Sequence, residues 1–341
     1  MSGIQIRSLW DHAANIQRQK QREREKQCLE STMFFIGSRQ AGKTSIIYKF
    51  LERSDHAKAS VALEYLFGRR SLFDSSSDVC HIYELAGGAS FKRMVAIPIT
   101  LRNLMSLVIV LVLDLSLPEE LFITMDTLLT TVRERIKQVV IQGEQSTPGF
   151  AASVDAAAQA RIGQSHQDIN ALDVFPVPLL ILGTKYDVFR DFEPEHKKII
   201  CRCLRFLAHA HGASLQFASQ HTPDVFSSRV HAIFQKGDPA REKPNVDYNT
   251  ALNIAFGEDS FENIEIFDVP DRASLEIARK ACRELLKKTF GETDLNVHLE
   301  DPGRDPNFKE YDIDVVLAQK LRELELENSS RNLQDLEIGD L

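Results

Sequence analysis

One short stretch of the sequence has residue types and spacing suited to binding phosphate. Residues 37–44 read GSRQAGKT, which matches the pattern G-x-x-x-x-G-K-[ST] between an apolar run at 33–36 and a helix-compatible segment. In such a loop the backbone N–H groups face inward, and the helix dipole adds positive potential where phosphates lie. The lysine would reach the β- and γ-phosphates, and the threonine hydroxyl would hold Mg²⁺. The predicted phosphate-binding residues are Gly37, Gln40, Ala41, Gly42, Lys43, Thr44 and Ser45.

A second stretch has a pattern that selects guanine. Residues 183–187 read GTKYD, an [NT]-K-x-D match that follows the apolar run 178–182. A carboxylate at Asp187 would accept hydrogen bonds from N1–H and the exocyclic amine of guanine; adenine offers no such pair of donors, which disfavours an ATPase. Four residues are a weak pattern alone, but a preceding strand and an upstream P-loop make this one strong. The predicted guanine-binding residues are Thr184, Lys185, Asp187, Ala218 and Ser219.

A third stretch departs from the pattern of an active Ras-like GTPase. In residues 78–88, Glu84 stands where such enzymes have an aspartate, and Gly88 stands where they have a glutamine that orients water. The added methylene group displaces the carboxylate from an octahedral Mg²⁺ geometry that tolerates little error. Glycine has no side chain with which to orient the attacking water. The predicted Mg²⁺ ligands are Thr44, Ser60 and Glu84.

These departures lower the expected rate of hydrolysis more than the expected affinity for nucleotide. Arg39 and Gln40 also indicate slow hydrolysis, because active GTPases commonly have small residues at these two P-loop positions. We therefore expect a binding fold that is not an enzyme, with GTP, GDP or no nucleotide resident, and with or without Mg²⁺. The alternative is a slow regulatory GTPase that acts as a nucleotide switch, with Glu84 reaching Mg²⁺ through a water.

Alternating strand and helix patterns predict the fold that positions these stretches. Two nearly continuous apolar runs, 107–113 and 178–182, are typical of central parallel strands buried on both faces. The alternation predicts an α/β, Ras-like P-loop domain with a doubly wound, mostly parallel six-stranded sheet and helical extensions. Predicted strands are 33–37, 61–67, 79–85, 107–113, 178–183 and 214–218. Predicted helices are 43–53, 119–141, 193–211 and 273–289.

Composition excludes some classes of partner and setting. A net charge of −8 disfavours nucleic-acid binding, which requires a clustered basic surface. No apolar run approaches the roughly 20 residues that span a bilayer, so no membrane span is predicted. The N-terminus lacks the apolar core of a signal peptide. Five scattered cysteines suggest reduced thiols in the cytoplasm.

The chain is expected to have three parts. Residues 1–30 form a polar N-terminal helix or extension, 31–300 form the P-loop domain, and 301–341 form an acidic helical tail. Two insertions interrupt the domain, near 143–172 and near 235–265, the second with weak β character at 263–267. In the tail, Ile313, Val316, Leu317, Leu321 and Leu324 have helical spacing. The tail helix is predicted either to pack on its own domain or to dock in a partner's groove.

Two histidines near the end of a predicted helix, His209 and His211, do not predict a metal site. Neither a carboxylate nor a cysteine stands beside them at ligand spacing. Their position instead suits cationic side chains, which are favourable at a helix C-terminus.

With these stretches identified, the sequence resembles the dynein light intermediate chains, most closely their dynein 2 branch. The likeness covers most of residues 31–310, and it includes the replacements Glu84 and Gly88. It is weakest in 1–30, 143–172, 235–265 and the tail. The matching segments are FFIGS at 34–38 through KT at 43–44, ALEY at 62–65 with GRR at 68–70, ELAGG at 84–88, IPIT at 97–100, LVLDLS at 111–116, FPVP at 175–178 through DVF at 187–189, LRF at 204–206 with GASL at 212–215, and DP at 301–302 with RDP at 304–306.

The resemblance implies a structural subunit rather than an enzyme. Family members bind the tail of the dynein heavy chain, so the implied partners are the dynein 2 heavy chain, the other dynein 2 subunits and the intraflagellar transport machinery, with microtubules contacted indirectly. The implied role is retrograde intraflagellar transport. The implied locations are the cytoplasm, the axoneme of the cilium or flagellum, and the basal body.

Overall fold

The computed structural model describes most of the predicted P-loop domain and one helix of the C-terminal segment. The predicted N-terminal helix before residue 30 and part of the second predicted insertion lie outside the described residues. The residues that the structure describes are 30–53, 60–69, 79–163, 166–219, 226, 230, 244–267, 269–293 and 310–338. The chain divides into two compact units, Met1–Asn296 and Val297–Leu341.

A seven-stranded sheet forms the centre of the first unit. Its strand order is β2-β3-β1-β4-β5-β6-β7, with five parallel strands in the middle and an antiparallel strand at each edge. The strands are β1 (Glu30–Gly37), β2 (Leu63–Arg69), β3 (Val79–Leu85), β4 (Leu107–Asp114), β5 (Leu179–Thr184), β6 (Ser214–Phe217) and β7 (Asn253–Ile254).

Helices cover both faces of the sheet. Among the described residues of the first unit, the α-helices with defined bounds are α1 (Lys43–Phe50), α2 (Pro118–Ser146), α3 (Phe150–Ile162), α4 (Tyr186–Phe189), α5 (Pro194–Ala210), α6 (Phe261–Ile264) and α7 (Arg272–Phe290); 3₁₀ helices span Gly88–Ala96 and Leu104–Ser106. In β1, Phe34 contributes to a core that includes α2, α5 and α7, whereas its neighbour Phe35 contributes to a second core that includes α1. Successive side chains of a strand point to opposite faces, so an unbroken apolar run fills both cores.

The prediction of six strands was wrong by one. All six predicted strands are present, but β7 adds a seventh at an antiparallel edge, where Leu215 pairs with Ile254. With only two residues, β7 is too short to show alternating polarity. The weak β character predicted at 263–267 was also wrong, since α6 occupies Phe261–Ile264. Its N-cap is Ser260, whose side chain accepts a hydrogen bond from the Asn263 N–H, and this favours a helix start.

The first predicted insertion is part helix and part loop, as expected. Helix α2 continues to Ser146, α3 follows after a short turn, and Gly149 with φ of 88° precedes α3. Turns then lead through 166–178 to β5. The three-part division of the chain stays a prediction.

The second unit contains helix α8 (Tyr311–Ile338). Between residues 311 and 326 it exposes a series of large apolar or aromatic side chains: Tyr311, Ile313, Val315, Val316, Leu317, Leu321, Leu324 and Leu326. What this helix packs against stays a prediction. Among the described residues, no helix has the length and apolar character needed to cross a bilayer.

Candidate functional site

The P-loop joins β1 to α1 through backbone conformations that favour glycine. Gly37 has φ of 144° and Gly42 has φ of 85°, while Gln40 also has a positive φ, of 55°. A Cβ atom at Gly37 would lie 1.9 Å from the carbonyl oxygen of Val112, so the loop passes directly against β4. Within the loop, the side chain of Ala41 is buried. The backbone therefore turns tightly between β1 and α1, as we expect for a loop that binds phosphate.

Helix α1 begins at the residues predicted to bind phosphate. Lys43, Thr44 and Ser45 form its first turn, where backbone N–H groups lack partners within the helix. Their N–H groups and the positive end of the helix dipole favour an anion. Ser45 and Gln40 are exposed, whereas Lys43 is buried.

Lys43 lies across the P-loop. Its Nζ donates hydrogen bonds to the carbonyl oxygens of Ser38, at 2.7 Å, and Gly37, at 3.3 Å. Burial lowers the pKa of Lys43 to about 8, although the nearby carboxyl group of Glu84 opposes that shift. Lys43 therefore loses its proton at a lower pH than a solvent-exposed lysine does.

Glu84 contacts the hydroxyl group of the P-loop threonine. Thr44 Oγ1 donates to Glu84 Oε1 at 2.8 Å, and Glu84 lies at the end of β3 next to β1. Burial raises the pKa of Glu84, while the Thr44 hydrogen bond and the charge of Lys43 oppose the shift. Two of the three predicted Mg²⁺ ligands are therefore in direct contact.

The third predicted Mg²⁺ ligand, Ser60, lies beside a carboxylate that sequence reasoning missed. Ser60 Oγ donates to Glu64 Oε2 at 2.6 Å, and Glu64 is paired with Glu84 across the antiparallel strands β2 and β3. Glu64 also raises the pKa of Glu84. The register of β2 on β3 would have identified Glu64, but a single sequence does not give that register. The resulting set of hydroxyl and carboxylate oxygens fits the ligand preference of Mg²⁺.

The predicted guanine pocket is built from the ends of β5 and β6. Thr184 Oγ1 donates to the carbonyl oxygen of Leu113 at 3.0 Å. The Tyr186 N–H donates to the Ala218 carbonyl oxygen at 3.3 Å, which holds the segment containing Ala218 and Ser219 against the [NT]-K-x-D loop. Asp187 lies exposed in the first turn of α4, so its carboxylate is accessible to a base.

Lys185 forms an ion pair that sequence reasoning also missed. Its Nζ donates to the Asp114 carboxylate, which is 1% exposed, and its backbone has φ of 56°. Asp114 ends β4, between the strands that carry the P-loop and the guanine motif. The sequence signal that could have identified Asp114 is its position at the carboxyl end of a buried strand, where ligands of such sheets bind. The pair sets the direction of the Lys185 stem beside the predicted base pocket.

The sheet topology brings all these groups to one edge. Strands β3, β1, β4, β5 and β6 are parallel, so their carboxyl ends lie together. Glu84, Asp114 and Thr184 lie at these ends, and the P-loop and Ala218 follow directly after them. Ligands of open α/β sheets bind at this edge.

Comparisons with known proteins agree on one family. Residues 6–149 match the family model of the dynein light intermediate chain. The chain is 35% identical to cytoplasmic dynein 2 light intermediate chain 1 of Mus musculus, and 36% identical to that of Homo sapiens, with 91% of each chain covered. It is 36% identical to the Danio rerio protein of the same name, over 95% of both chains. The chain belongs to the dynein light intermediate chain family.

The fold of this light intermediate chain is also similar to a solved structure. The crystal structure of the conserved domain of a dynein light intermediate chain aligns with a TM-score of 0.57 and 14% identity, over 81% of this chain and 99% of that one. The α/β, Ras-like fold and the family resemblance predicted from the sequence are thereby confirmed.

Proposed function

We propose that this family member is a non-catalytic subunit of a cytoplasmic dynein 2 motor, where it binds the tail of the heavy chain. The observation that carries the proposal is similarity along 91–95% of the chain to proteins named for that motor. The same proposal includes the other dynein 2 subunits and the intraflagellar transport machinery as partners, and retrograde transport in cilia or flagella as the role. It places the chain in the cytoplasm, axoneme and basal body.

Guanine-nucleotide binding is the second part of the proposal. Among the described residues, Ser38 Oγ and Glu84 Oε2 are buried polar atoms without a hydrogen-bond partner, and both lie at the P-loop. Buried polar atoms without partners are costly, so a ligand that pairs them is favoured. GTP or GDP would place phosphates on the first turn of α1 and its base beside Asp187. Thr44, Glu84 and Ser60 would hold Mg²⁺, which would neutralise phosphate charge.

Slow chemistry is expected at this site. Glu84 contacts Thr44 directly, so the longer carboxylate already occupies space beside the predicted metal ligand. Gly88 begins a 3₁₀ helix and has no side chain to orient water. The nucleotide thus supports a binding surface, and ATP hydrolysis by the motor belongs to another subunit.

Affinity purification from a ciliated cell tests the motor assignment. A tagged copy of the full chain is expected to recover a dynein heavy chain in fixed ratio. Recovery of the tagged chain only as a free monomer would contradict the proposal.

The same purification with Lys43→Ala distinguishes a nucleotide that only stabilises the fold from a nucleotide that regulates heavy-chain binding. If nucleotide only supports the fold, this variant should melt at a lower temperature yet still recover the heavy chain. An unchanged melting temperature with loss of the heavy chain would favour the alternative of a regulatory switch. Chromatography of nucleotide released from the denatured wild-type chain identifies the resident ligand.

A further inference from the structure

Three side chains of types that can bind a metal ion come together where the first insertion meets α5, apart from the P-loop. His166 and Asp168 belong to the turns after α3, and His209 belongs to the last turn of α5. One ligand atom from each residue lies within 4.8 Å of the other two. The side chain of His209 is 3% exposed and that of Asp168 is 15% exposed. The sequence shows no such group, because His209 and Asp168 are 41 positions apart.

Hydrogen bonds fix the orientation of these side chains. His166 Nε2 lies 3.0 Å from the carbonyl oxygen of Asp259, to which it donates, and its Nδ1 accepts a hydrogen bond from the Asp168 N–H at 3.1 Å. Asp168 Oδ2 accepts from the Phe261 N–H at 3.0 Å. Metal-binding histidines typically donate their second ring N–H to a backbone carbonyl or carboxylate in this way.

The support extends one step further from the cluster. Arg205 donates to both carboxylate oxygens of Asp259, at 2.8 and 2.7 Å, and the two side chains are 8% and 6% exposed. The backbone that orients His166 is therefore held by a buried ion pair from α5, the helix that also carries His209. Such a held arrangement lowers the cost of organising the three ligands around an ion.

Solvent reaches one side of the cluster. Asp168 lines a surface cleft with Gln167, Phe261, Glu262 and Glu265. The cleft admits water beside Asp168, and that water would supply the fourth ligand. Three protein ligands and an open fourth position are a common arrangement for zinc.

We propose that His166, Asp168 and His209 bind a divalent cation of the zinc class. Two imidazoles and one carboxylate suit Zn²⁺ better than Mg²⁺ or Ca²⁺, which prefer oxygen ligands alone. His209 Nε2 donates a hydrogen bond to Asp168 Oδ2 at 2.8 Å. Cation binding replaces that hydrogen bond and the one from the Asp168 N–H to His166 Nδ1, and the proton of neutral His209 moves to its Nδ1. The bound ion ties the insertion to α5, independently of any nucleotide.

Titration of the full chain with Zn²⁺ tests the site. After treatment with chelator, the chain is titrated against a fluorescent zinc indicator, and Co²⁺ absorption reports the ligand geometry. We expect one equivalent to bind, with affinity at least ~100-fold weaker in His166→Gln and in Asp168→Asn. His196→Gln is the matched control on α5, where the side chain is 39% exposed and 4.0 Å from Glu193, and it should bind like wild type.

Thermal melting distinguishes loss of the zinc ligands from misfolding of the variants. Zinc should raise the melting temperature of wild type and of His196→Gln, but not that of the two cluster variants, each first shown to be folded by circular dichroism in chelator. Failure of wild type to bind one equivalent would overturn the proposal. Unchanged affinity in the cluster variants would also overturn it, because the ion would then lie elsewhere.

Discussion

At the scale of single residues, two buried ionisable side chains lie at the P-loop, one from the loop and one from β3. Lys43 and Glu84 interact electrostatically. Burial lowers the pKa of Lys43 and raises the pKa of Glu84, and both shifts favour the neutral form of the side chain. Burial disfavours charge unless a partner compensates. Nucleotide phosphate would compensate Lys43, and a cation would compensate Glu84, so ligand binding and protonation must be coupled here.

The first prediction follows from the pKa of Lys43, which is about 8 in the free chain. Bound phosphate favours the charged amine and raises its pKa. Affinity for GDP should therefore be greatest below pH 8 and fall as the free lysine loses its proton, by about tenfold between pH 7 and 9. Titration with a fluorescent GDP analogue measures this.

Lys43→Met is the control for that titration. It should bind more weakly at pH 7 and show little change to pH 9, because the titrating amine is absent. Equal wild-type affinity at pH 7 and 9 would refute the coupling.

Sequence reasoning reached the residues inside motifs but not their partners from elsewhere in the chain. The P-loop and [NT]-K-x-D patterns are local, because each is one continuous loop. Glu64, Asp114 and Asp168 were missed as partners, since strand register and the path of the insertion bring them to Glu84, Lys185 and His209. Such contacts depend on tertiary structure, which one sequence does not report.

At the scale of elements, buried strands were the most predictable part of the fold. The runs that became β4 and β5 are apolar at every position that two cores can fill. Strand β7 and helix α6 were not predicted, because elements of two and four residues have no measurable period.

The close approach of the P-loop to β4 gives the second prediction. Gly37→Ala should destabilise the chain by at least ~3 kcal/mol, since the new Cβ would overlap the Val112 carbonyl oxygen and φ is 144°. Gly149→Ala is the control: its φ is 88°, but nothing lies within 4 Å of the added atom. It should cost about 1 kcal/mol.

Urea unfolding monitored by circular dichroism compares these two glycine variants with wild type. Similar losses of stability in both would show that the backbone conformation, and not contact with β4, requires Gly37.

The buried ion pair between α5 and the segment before α6 gives the third prediction. Asp259→Asn should lower the free energy of unfolding by ~3–5 kcal/mol, because it leaves the Arg205 guanidinium buried without a countercharge. The surface pair of Arg102 and Glu30, 84% and 52% exposed, provides the control. Arg102→Gln should cost less than ~1 kcal/mol.

Denaturant unfolding of the two charge variants, at matched ionic strength, gives both values. A loss at Asp259 no larger than that at Arg102 would mean that the second insertion is not fastened to α5 by this pair.

At the scale of the whole molecule, the fold has a P-loop and a T-K-x-D loop at the carboxyl ends of its parallel strands, within a family named for a motor. The sequence predicted the Ras-like α/β class because its alternating elements and P-loop agree with one topology. It did not predict Glu64 beside the proposed Mg²⁺ site or the group formed by His166, Asp168 and His209, because both depend on that topology. The apolar side chains of α8 are exposed, and whether they pack on the first unit or on a partner stays a prediction.

The central claim is that the P-loop binds guanine nucleotide without turning it over rapidly. A single-turnover assay with radiolabelled GTP and excess purified chain tests it directly. The account predicts that GTP binds to wild type and stays intact over hours, at a background rate that Lys43→Ala does not change. Hydrolysis that is fast in wild type and abolished by Lys43→Ala would contradict the account and establish an enzyme.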